Sequence, residues 1–318
     1  MKNEVIAKLK EGKTFVLFMH LRPDGDSVGS SLALAYMLRK LGKEVDIALD
    51  GEVPELYHFL PGSTIESWLN LKNKSYDFAV FLDCGDRDRV GEAQAIASQA
   101  KESINIDHHP TNTHFADYNW VDASAAAVGE MVYELIKELG ELDQTLATYI
   151  YTAIITDTGN FMYENTTGKT HTITADLLKH GIKPSSIAQA VYENVPVESL
   201  LLLTEVLNTL KFHSNRCIAT MELTQDILKR TGASSLDAEG FINYARSVKG
   251  VEIAILFYED SESSIRVSFR SKTYVDVARI ASILGGGGHA RAAGCTLNMP
   301  LEEAKIMVLE VSTRELKA

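Results

Sequence analysis

Three strand-like runs end in acidic or imidazole residues, and this repetition constrains the fold more than any other feature of the chain. Thr14–Met19 stops at His20, and Phe78–Leu82 stops at Asp83. The short run through Ile104 and Ile106 stops at Asp107-His108-His109. Continuous apolar runs of about four to eight residues suit strands buried on both faces, as in parallel sheets. In open α/β sheets, ligands bind beyond the carboxyl ends of the strands. Three tips carrying the same chemistry therefore predict one shared site. Two adjacent histidines cannot face one way on a strand, but in the turn after it they can flank a single point.

The first run continues into Leu21-Arg-Pro-Asp-Gly-Asp-Ser27. There Pro23 and Gly25 mark a tight loop, and Asp24 and Asp26 can be presented near His20. A helix over 28–41, stopped by Gly42, and a strand over 45–49 complete a βαβ unit. Helices are expected at 2–11, 91–101, 128–139, 146–158 and 185–194. The fourth of these carries Asp157 near its end, an acid that a core helix should not hold without a partner. A leucine-rich helix over 198–212 reads as a connector. Beyond it, strands are expected at 216–223, 251–258, 265–269 and 294–297, and helices at 225–230, 239–248, 275–284 and 301–316. The expected fold class is α/β. An N-terminal, Rossmann-like parallel-sheet domain spans 1–195, a helical linker 196–213, and a smaller α/β substrate-binding domain 214–318.

Charge narrows the partners. The 318 residues hold 31 Lys and Arg against 43 Asp and Glu, for a net charge of −12. That argues against a broad basic track for long nucleic acid. A phosphate substrate stays open, because bound cations can supply positive charge where it is needed. Cys84, Cys217 and Cys295 are widely spaced and odd in number, so no disulfide framework is expected. The first residues lack an apolar signal core, and the longest apolar runs are too short to span a bilayer. The expectation is a cytoplasmic protein with no membrane partner.

Four carboxylates (Asp24, Asp26, Asp83, Asp157) and two imidazoles (His20, His108) can converge at the strand tips. Without cations, so many buried anions would repel and stay protonated at a large cost. Two divalent ions would balance them. Carboxylate and imidazole donors without thiolate suit manganese, with iron, cobalt and magnesium also compatible. Asp107 suits an acceptor that orients a histidine. Any one of these acids alone could be a plain helix N-cap; their convergence is what argues for a site. In the second domain, glycines 285–288 can take left-handed or nest-like conformations and approach a phosphate closely. His289 and Arg270 add charge-assisted donors, although four glycines alone also suit a flexible linker. Arg89 reads equally as a substrate contact or an ordinary exposed arginine. Cys84 reads as a packed thiol, since no base stands near it in the sequence.

With these motifs assembled, the chain resembles the DHH phosphoesterases, and within them the two-domain nanoRNase/pAp-phosphatase type. The matching stretches are His20-x-x-x-Asp24-x-Asp26, Asp83, Asp107-His108-His109 and Thr156-Asp157-Thr158. Ser268-Phe-Arg-Ser271 and Gly285-Gly-Gly-Gly-His289 resemble the DHH-associated domain. The resemblance covers nearly the whole chain. It implies one manganese on His20, Asp24 and Asp83, and another on Asp26, Asp83, His108 and Asp157, with Asp83 bridging. It implies a catalytic group of Asp83, Asp107, His108 and His109, with His109 meeting the scissile phosphate or assisting the leaving group. Arg270, Ser271, Gly286, Gly287, Gly288 and His289 would bind substrate in a cleft between the domains.

The implied activity is removal of mononucleotides from very short oligoribonucleotides, with pAp dephosphorylation as a second activity. A cyclic- or linear-dinucleotide phosphodiesterase is the alternative within the enzyme class. A non-catalytic nucleotide-binding module is the alternative outside it, and the intact acid and histidine set argues against that. A homodimer is compatible with all of these readings.

Overall fold

The structure is a computed structural model that describes residues 1–65, 67–238 and 240–316. The chain divides into two compact units, Met1–Asn194 and Val195–Ala318. Among the described residues no helix is long and apolar enough to cross a membrane.

The first unit begins with α1 (Lys2–Glu11), β1 (Thr14–Phe18), α2 (Gly25–Lys40), β2 (Glu44–Ala48) and β3 (Tyr76–Leu82). It continues with α3 (Gln94–Ala97), β4 (Ala100–Asp107), β5 (Tyr118–Val121), α4 (Val128–Leu139), α5 (Gln144–Asp157), α6 (Gly168–Leu178) and α7 (Pro184–Tyr192). Its five strands are all parallel, in the order β2-β1-β3-β4-β5. The chain leaves β1 toward β2 on one side and then returns to place β3 on the other. The crevice at the switch point therefore opens between the tips of β1 and β3, where His20 and Asp83 stand.

Alternation along each strand divides the core into two layers. Phe15, Leu17, Phe78, Val80, Ile104 and Ile106 face a layer built with α1, α2, α4 and α5. Val16, Phe18, Ala79 and Phe81 face a thinner layer made by short helical turns and α3. Phe15, Phe18 and Phe81 are fully buried, and each such side chain contributes roughly 2 kcal/mol by its burial.

Several expectations about this unit are corrected. The helix expected over 91–101 does not form. Arg87–Ala93 is a 3₁₀ segment kinked at Gly91, whose φ is 60°, then α3 spans one turn and β4 already starts at Ala100. Helix-forming residues there yield to the demand of β4 for a place beside β3. The edge strand β5 and helix α6 were not anticipated. α6 is announced by a capping box in which Thr167 and Thr170 satisfy each other's backbone N–H groups.

The second unit comprises α8 (Val197–Asn208), β6 (Lys211–His213), β7 (Ile218–Leu223), α9 (Gln225–Thr231), α10 (Ile242–Ser247), β8 (Ile253–Ser261) and β9 (Ser264–Ser271). It ends with α11 (Val277–Ile283), β10 (Gly287–His289), β11 (Ala292–Leu297) and α12 (Leu301–Glu315). Its sheet runs β10-β11-β9-β8-β7-β6, antiparallel except for the β7–β8 pair. Ile255, Phe257, Val267 and Phe269 face α11 and α12. Ala219, Met221, Ala254 and Leu256 face α8, α9 and α10.

Residues 196–213, expected as a linker, form α8 and β6. Leu202 and Val206 of α8 are buried in this unit's core, and Ser199 Oγ donates to the Asp237 carbonyl at 2.8 Å. The helix expected to run to Phe212 stops at Asn208, because β6 pairs with β7. Ser214, Asn215 and Arg216 all take positive φ in the turn between those strands, so β7 starts two residues later than expected. Of the helix expected over 239–248, residues 242–247 form; Glu239 lies outside the described residues.

Candidate metal centre

The strand tips bring the predicted acids and histidines of the first unit together. Asp83 follows β3 with a φ of 57°, in the left-handed region that non-glycine residues rarely adopt. Its N–H still pairs with the Ile106 carbonyl at 3.1 Å, so the sheet fixes the turn that aims its side chain. Asp83 Oδ2 lies 3.4 Å from His20 Nε2, and Oδ1 lies 3.6 Å from His108 Nε2. One carboxylate thus presents an oxygen to each of two imidazoles. Oδ1 is buried and has no hydrogen-bond partner among the described residues.

Each histidine is oriented by its other nitrogen. His20 Nδ1 donates to the Leu21 carbonyl at 2.8 Å, and His108 Nδ1 to the Ala125 carbonyl at 3.1 Å. A carbonyl oxygen only accepts, so both rings carry the proton on Nδ1 and turn Nε2 toward the carboxylates. His20 Nε2 lies 3.7 Å from Asp24 Oδ1. His108 Nε2 lies 3.6 Å from Asp157 Oδ2 and 4.0 Å from Asp26 Oδ2.

Helix termini supply the carboxylates. Asp24 caps α2, accepting from Ser27 N at 3.0 Å. Asp26 is wholly buried and binds the N-terminus of α4, accepting from Val128 N at 2.6 Å and Gly129 N at 2.9 Å, with Ser30 Oγ at 2.9 Å. Both acids are therefore caps, and both also face imidazoles. α2 crosses α5 so closely that a Cβ on Gly25 would strike the Thr156 side chain. That close approach sets Asp26 near Asp157, the last residue of α5.

His109 is oriented by a carboxylate rather than by a backbone carbonyl. Its Nδ1 lies 2.7 Å from Asp107 Oδ1 and 3.7 Å from Asp83 Oδ1. Asp107 is fully buried, and Asn112 Nδ2 donates to its Oδ2 at 2.6 Å and to Asn105 Oδ1 at 2.7 Å. Sequence reading missed the roles of Asn105 and Asn112. A turn asparagine three residues after a double histidine was the available signal, since such side chains bond nearby groups.

The electrostatics follow from this crowding. Burial, then the Asp83 and Asp157 charges, push the Asp26 carboxyl well above its ordinary range. Burial likewise lifts Asp157, to about 7, although His108 opposes it. Burial pulls the His20 imidazole down, but Asp24 and Asp83 outweigh it and raise it to about 10. His108 behaves the same way through Asp26, Asp157 and Asp83, rising to about 9. Burial would raise Asp107, yet the His109 and Asn112 hydrogen bonds hold it below its ordinary value.

Metal-ligating atoms gather into three groups within 4.8 Å: His20, Asp24 and Asp83; Asp26, His108 and Asp157; and Asp83, His108 and His109. The donors are carboxylate and imidazole without thiolate, and the excess of buried anions lacks enough fixed positive charge. This set fits a pair of hard or borderline divalent cations. Cys84, by contrast, is fully buried with Sγ 3.2 Å from the Leu82 carbonyl, a packed thiol as its sequence context suggested.

The second unit holds Arg270, Ser271 and the glycine run with His289. Arg270, the penultimate residue of β9, is half-buried, with Nη1 donating to the Phe269 carbonyl at 3.0 Å. The glycine run is largely strand: Gly287–His289 form β10 against β11, and His289 is exposed. Gly285 and Gly288 take positive φ. A Cβ on Gly286 would strike the Gly294 carbonyl and Cys295, so this glycine serves backbone packing rather than a flexible linker. Ser271 was expected as a substrate contact. It is buried and its hydroxyl donates to the Ala290 carbonyl at 3.2 Å, which ties the glycine-run loop to β9. Arg89 is exposed in the 3₁₀ segment, and its carbonyl accepts from Leu21 N at 2.7 Å. Arg89 belongs to the first unit, apart from Arg270 and His289 in the second.

Comparison with known proteins gives the family. Residues 14–154 match the DHH family, N-terminal domain, and residues 217–317 match the DHHA1 domain. The chain is 36% identical to the bifunctional oligoribonuclease and PAP phosphatase NrnA of Thermus thermophilus, over 98% of this chain and 92% of the relative. It is 31% identical to the protein of the same name in Bacillus subtilis, over 93% of each. Among solved structures, an exopolyphosphatase-related protein from Bacteroides fragilis superposes with a TM-score of 0.90 at 27% identity, covering 99% of this chain and 95% of that one.

Proposed function

We propose that this chain, which belongs to the DHH family and carries its DHHA1 domain, hydrolyses short oligoribonucleotides to mononucleotides and dephosphorylates pAp. The observation that carries this reading is Asp83, whose two oxygens face the Nε2 atoms of His20 and His108 while Oδ1 has no hydrogen-bond partner among the described residues. The substrate class rests on the relatives at 36% and 31% identity, whose names state those two activities.

His20, Asp24 and Asp83 would hold one divalent ion, and Asp26, Asp83, His108 and Asp157 the other, with manganese suited to these donors. When bound, such a pair supplies the charge that activates a water near neutral pH and steadies the phosphoryl oxygens. The chain's own groups do the rest. His20 and His108 keep Nε2 turned to the carboxylates because their Nδ1 protons are held by carbonyls. Asp107 holds His109 by Nδ1; burial pulls this imidazole's pKa down, but Asp107 and Asp83 outweigh it and raise it, so the protonated ring would offer its Nε2–H to the scissile phosphate or the departing oxygen. Water adds to phosphorus, the P–O bond to the ribose oxygen breaks, and that oxygen takes up a proton.

In the second unit Arg270 and His289 would grip a phosphate or terminal nucleotide, with the glycine strand allowing close backbone approach. With a net charge of −12, and 31 Lys and Arg against 43 Asp and Glu, the chain offers a long strand little attraction. Three unpaired thiols suit the cytoplasm.

The test is a panel with manganese: a dinucleotide, a pentanucleotide, a long unstructured RNA, pAp and cyclic dinucleotides, each across a salt series. The expected result is fastest turnover on oligomers of about two to five nucleotides, the span of a compact site, turnover of pAp, and a shallow salt slope. Preference for cyclic dinucleotides, or faster attack on the long RNA with a steep slope, would contradict the proposal.

A further inference from the structure

The run Ala125–Gly129 holds His108 and Asp26 directly, and is joined to Asp157 through one further side chain. The Ala125 carbonyl accepts from His108 Nδ1 at 3.1 Å. Val128 N and Gly129 N bind the Asp26 carboxylate. The link to Asp157 is made by a residue outside every motif described above. Asn165 Nδ2 donates both its protons, one to the Ala126 carbonyl at 2.9 Å and one to the Asp157 carbonyl at 3.1 Å. At the same residue, Ala126 N donates to Glu130 Oε2 at 3.4 Å, and Glu130 is wholly buried.

An amide nitrogen with two N–H donors can join two carbonyl oxygens, which cannot bond to each other because neither can donate. It closes a loop of contacts: Asp157 to Asn165, Asn165 to Ala126, Ala125 to His108, and α4 to Asp26. Metal affinity depends on holding ligands at fixed separations, and the groups that orient ligands commonly matter by about 10- to 100-fold.

From this we infer that Asn165 is a positioning residue for the metal centre, fixing the spacing of His108 and Asp157 through the Ala125–Ala126 backbone. Its two hydrogen bonds go to backbone carbonyls rather than to ligand side chains, so its effect falls on the affinity of that group for a cation rather than on the chemistry. The inference rests on the reading of these residues as a metal site.

Three variants of the full chain test it: Asn165→Asp, Asn165→Ala and Thr166→Val. Asn165→Asp keeps the shape but turns a carboxylate toward two carbonyl oxygens. Asn165→Ala removes the donors without adding repulsion. Thr166→Val is the neighbouring control, because the buried Thr166 hydroxyl has no partner among the described residues. Manganese(II) chloride is titrated by calorimetry into chelator-treated protein, and metal-free melting is recorded in parallel.

The expected result is a dissociation constant raised at least about tenfold by Asn165→Asp, raised less by Asn165→Ala, and unchanged by Thr166→Val, with metal-free melting preserved in Asn165→Ala. If Asn165→Asp fails to fold, Asn165→Ala alone reads the same ratio. Unchanged affinity in the folded Asn165 variants, or an equal loss in Thr166→Val, would overturn the inference. Failure of the unaltered protein to bind manganese would instead overturn the metal-site reading beneath it.

Discussion

His109 Nδ1 donates to Asp107 Oδ1 at 2.7 Å, and the carboxylate that accepts it is wholly buried. The pair is therefore a fixed unit, with the far edge of the imidazole set by the carboxylate behind it. Asp107→Asn would replace the charged acceptor with an amide and weaken both the ring's orientation and its basicity. Turnover should fall by about 10- to 100-fold, as for other groups that orient a site histidine, with manganese affinity nearly unchanged. Steady-state kinetics beside metal titration would check this; equal losses in affinity and turnover would assign Asp107 to the ligands instead.

The titrating groups predict how the metal-free protein responds to pH. His20 and His108 have folded values raised to about 10 and about 9, above the unfolded value of about 6.5. Groups raised on folding stabilise fully below the unfolded value and lose that contribution as pH climbs through the folded one. Asp157, lifted from 3.8 to about 7, acts in the same sense but lower on the pH scale, its contribution being lost before the histidines titrate. Melting of the chelator-treated protein should fall between about pH 6.5 and pH 10. The rise in melting temperature on adding manganese should grow over the same window. A metal-free melting temperature that climbed with pH would contradict the charge arrangement described.

Adjacent glycines in the second unit should differ sharply. A Cβ at Gly286 would meet the Gly294 carbonyl and Cys295, whereas one at Gly287 would meet nothing within 4 Å. Gly286→Ala should destabilise the unit by about 1–3 kcal/mol, the usual cost of overpacking. Gly287→Ala should change stability by no more than about 0.5 kcal/mol, as at an open surface position. Denaturant melts of the two variants provide the comparison, and similar values for both would mean that β10 does not lie against β11 as described.

What could be read beforehand, and what could not, follows from the range of the interactions. The strands at 14–18 and 76–82 announced themselves by unbroken apolar runs, and their tips fixed His20 and Asp83 at the β1/β3 crevice. Helix α4 had clear amphipathic spacing and a glycine stop, and it spans Val128–Leu139 as expected. The segment 91–101 has helical composition but is overruled by sheet pairing at Ala100. β5 is a four-residue edge strand with one buried residue, too short to produce an alternating signal. The clasp of Asp26 on α4 joins residues 102 and 103 positions apart, and no local pattern encodes it. Asn165 was invisible for the same reason: both its partners are backbone carbonyls, which every residue carries.

The central claim is that one carboxylate, Asp83, joins two cation sites on which hydrolysis depends. The direct measurement is Asp83→Asn, assayed for manganese stoichiometry by calorimetry and for turnover of a dinucleotide at saturating manganese, with folding checked by circular dichroism. The amide keeps the shape of the side chain and removes its charge, so the strand beneath it should stay folded. The account predicts loss of at least one of two bound ions and a fall in turnover of roughly a thousandfold or more, since the nucleophile depends on the ions. A folded Asp83→Asn protein that binds two ions and turns over near the normal rate would contradict it.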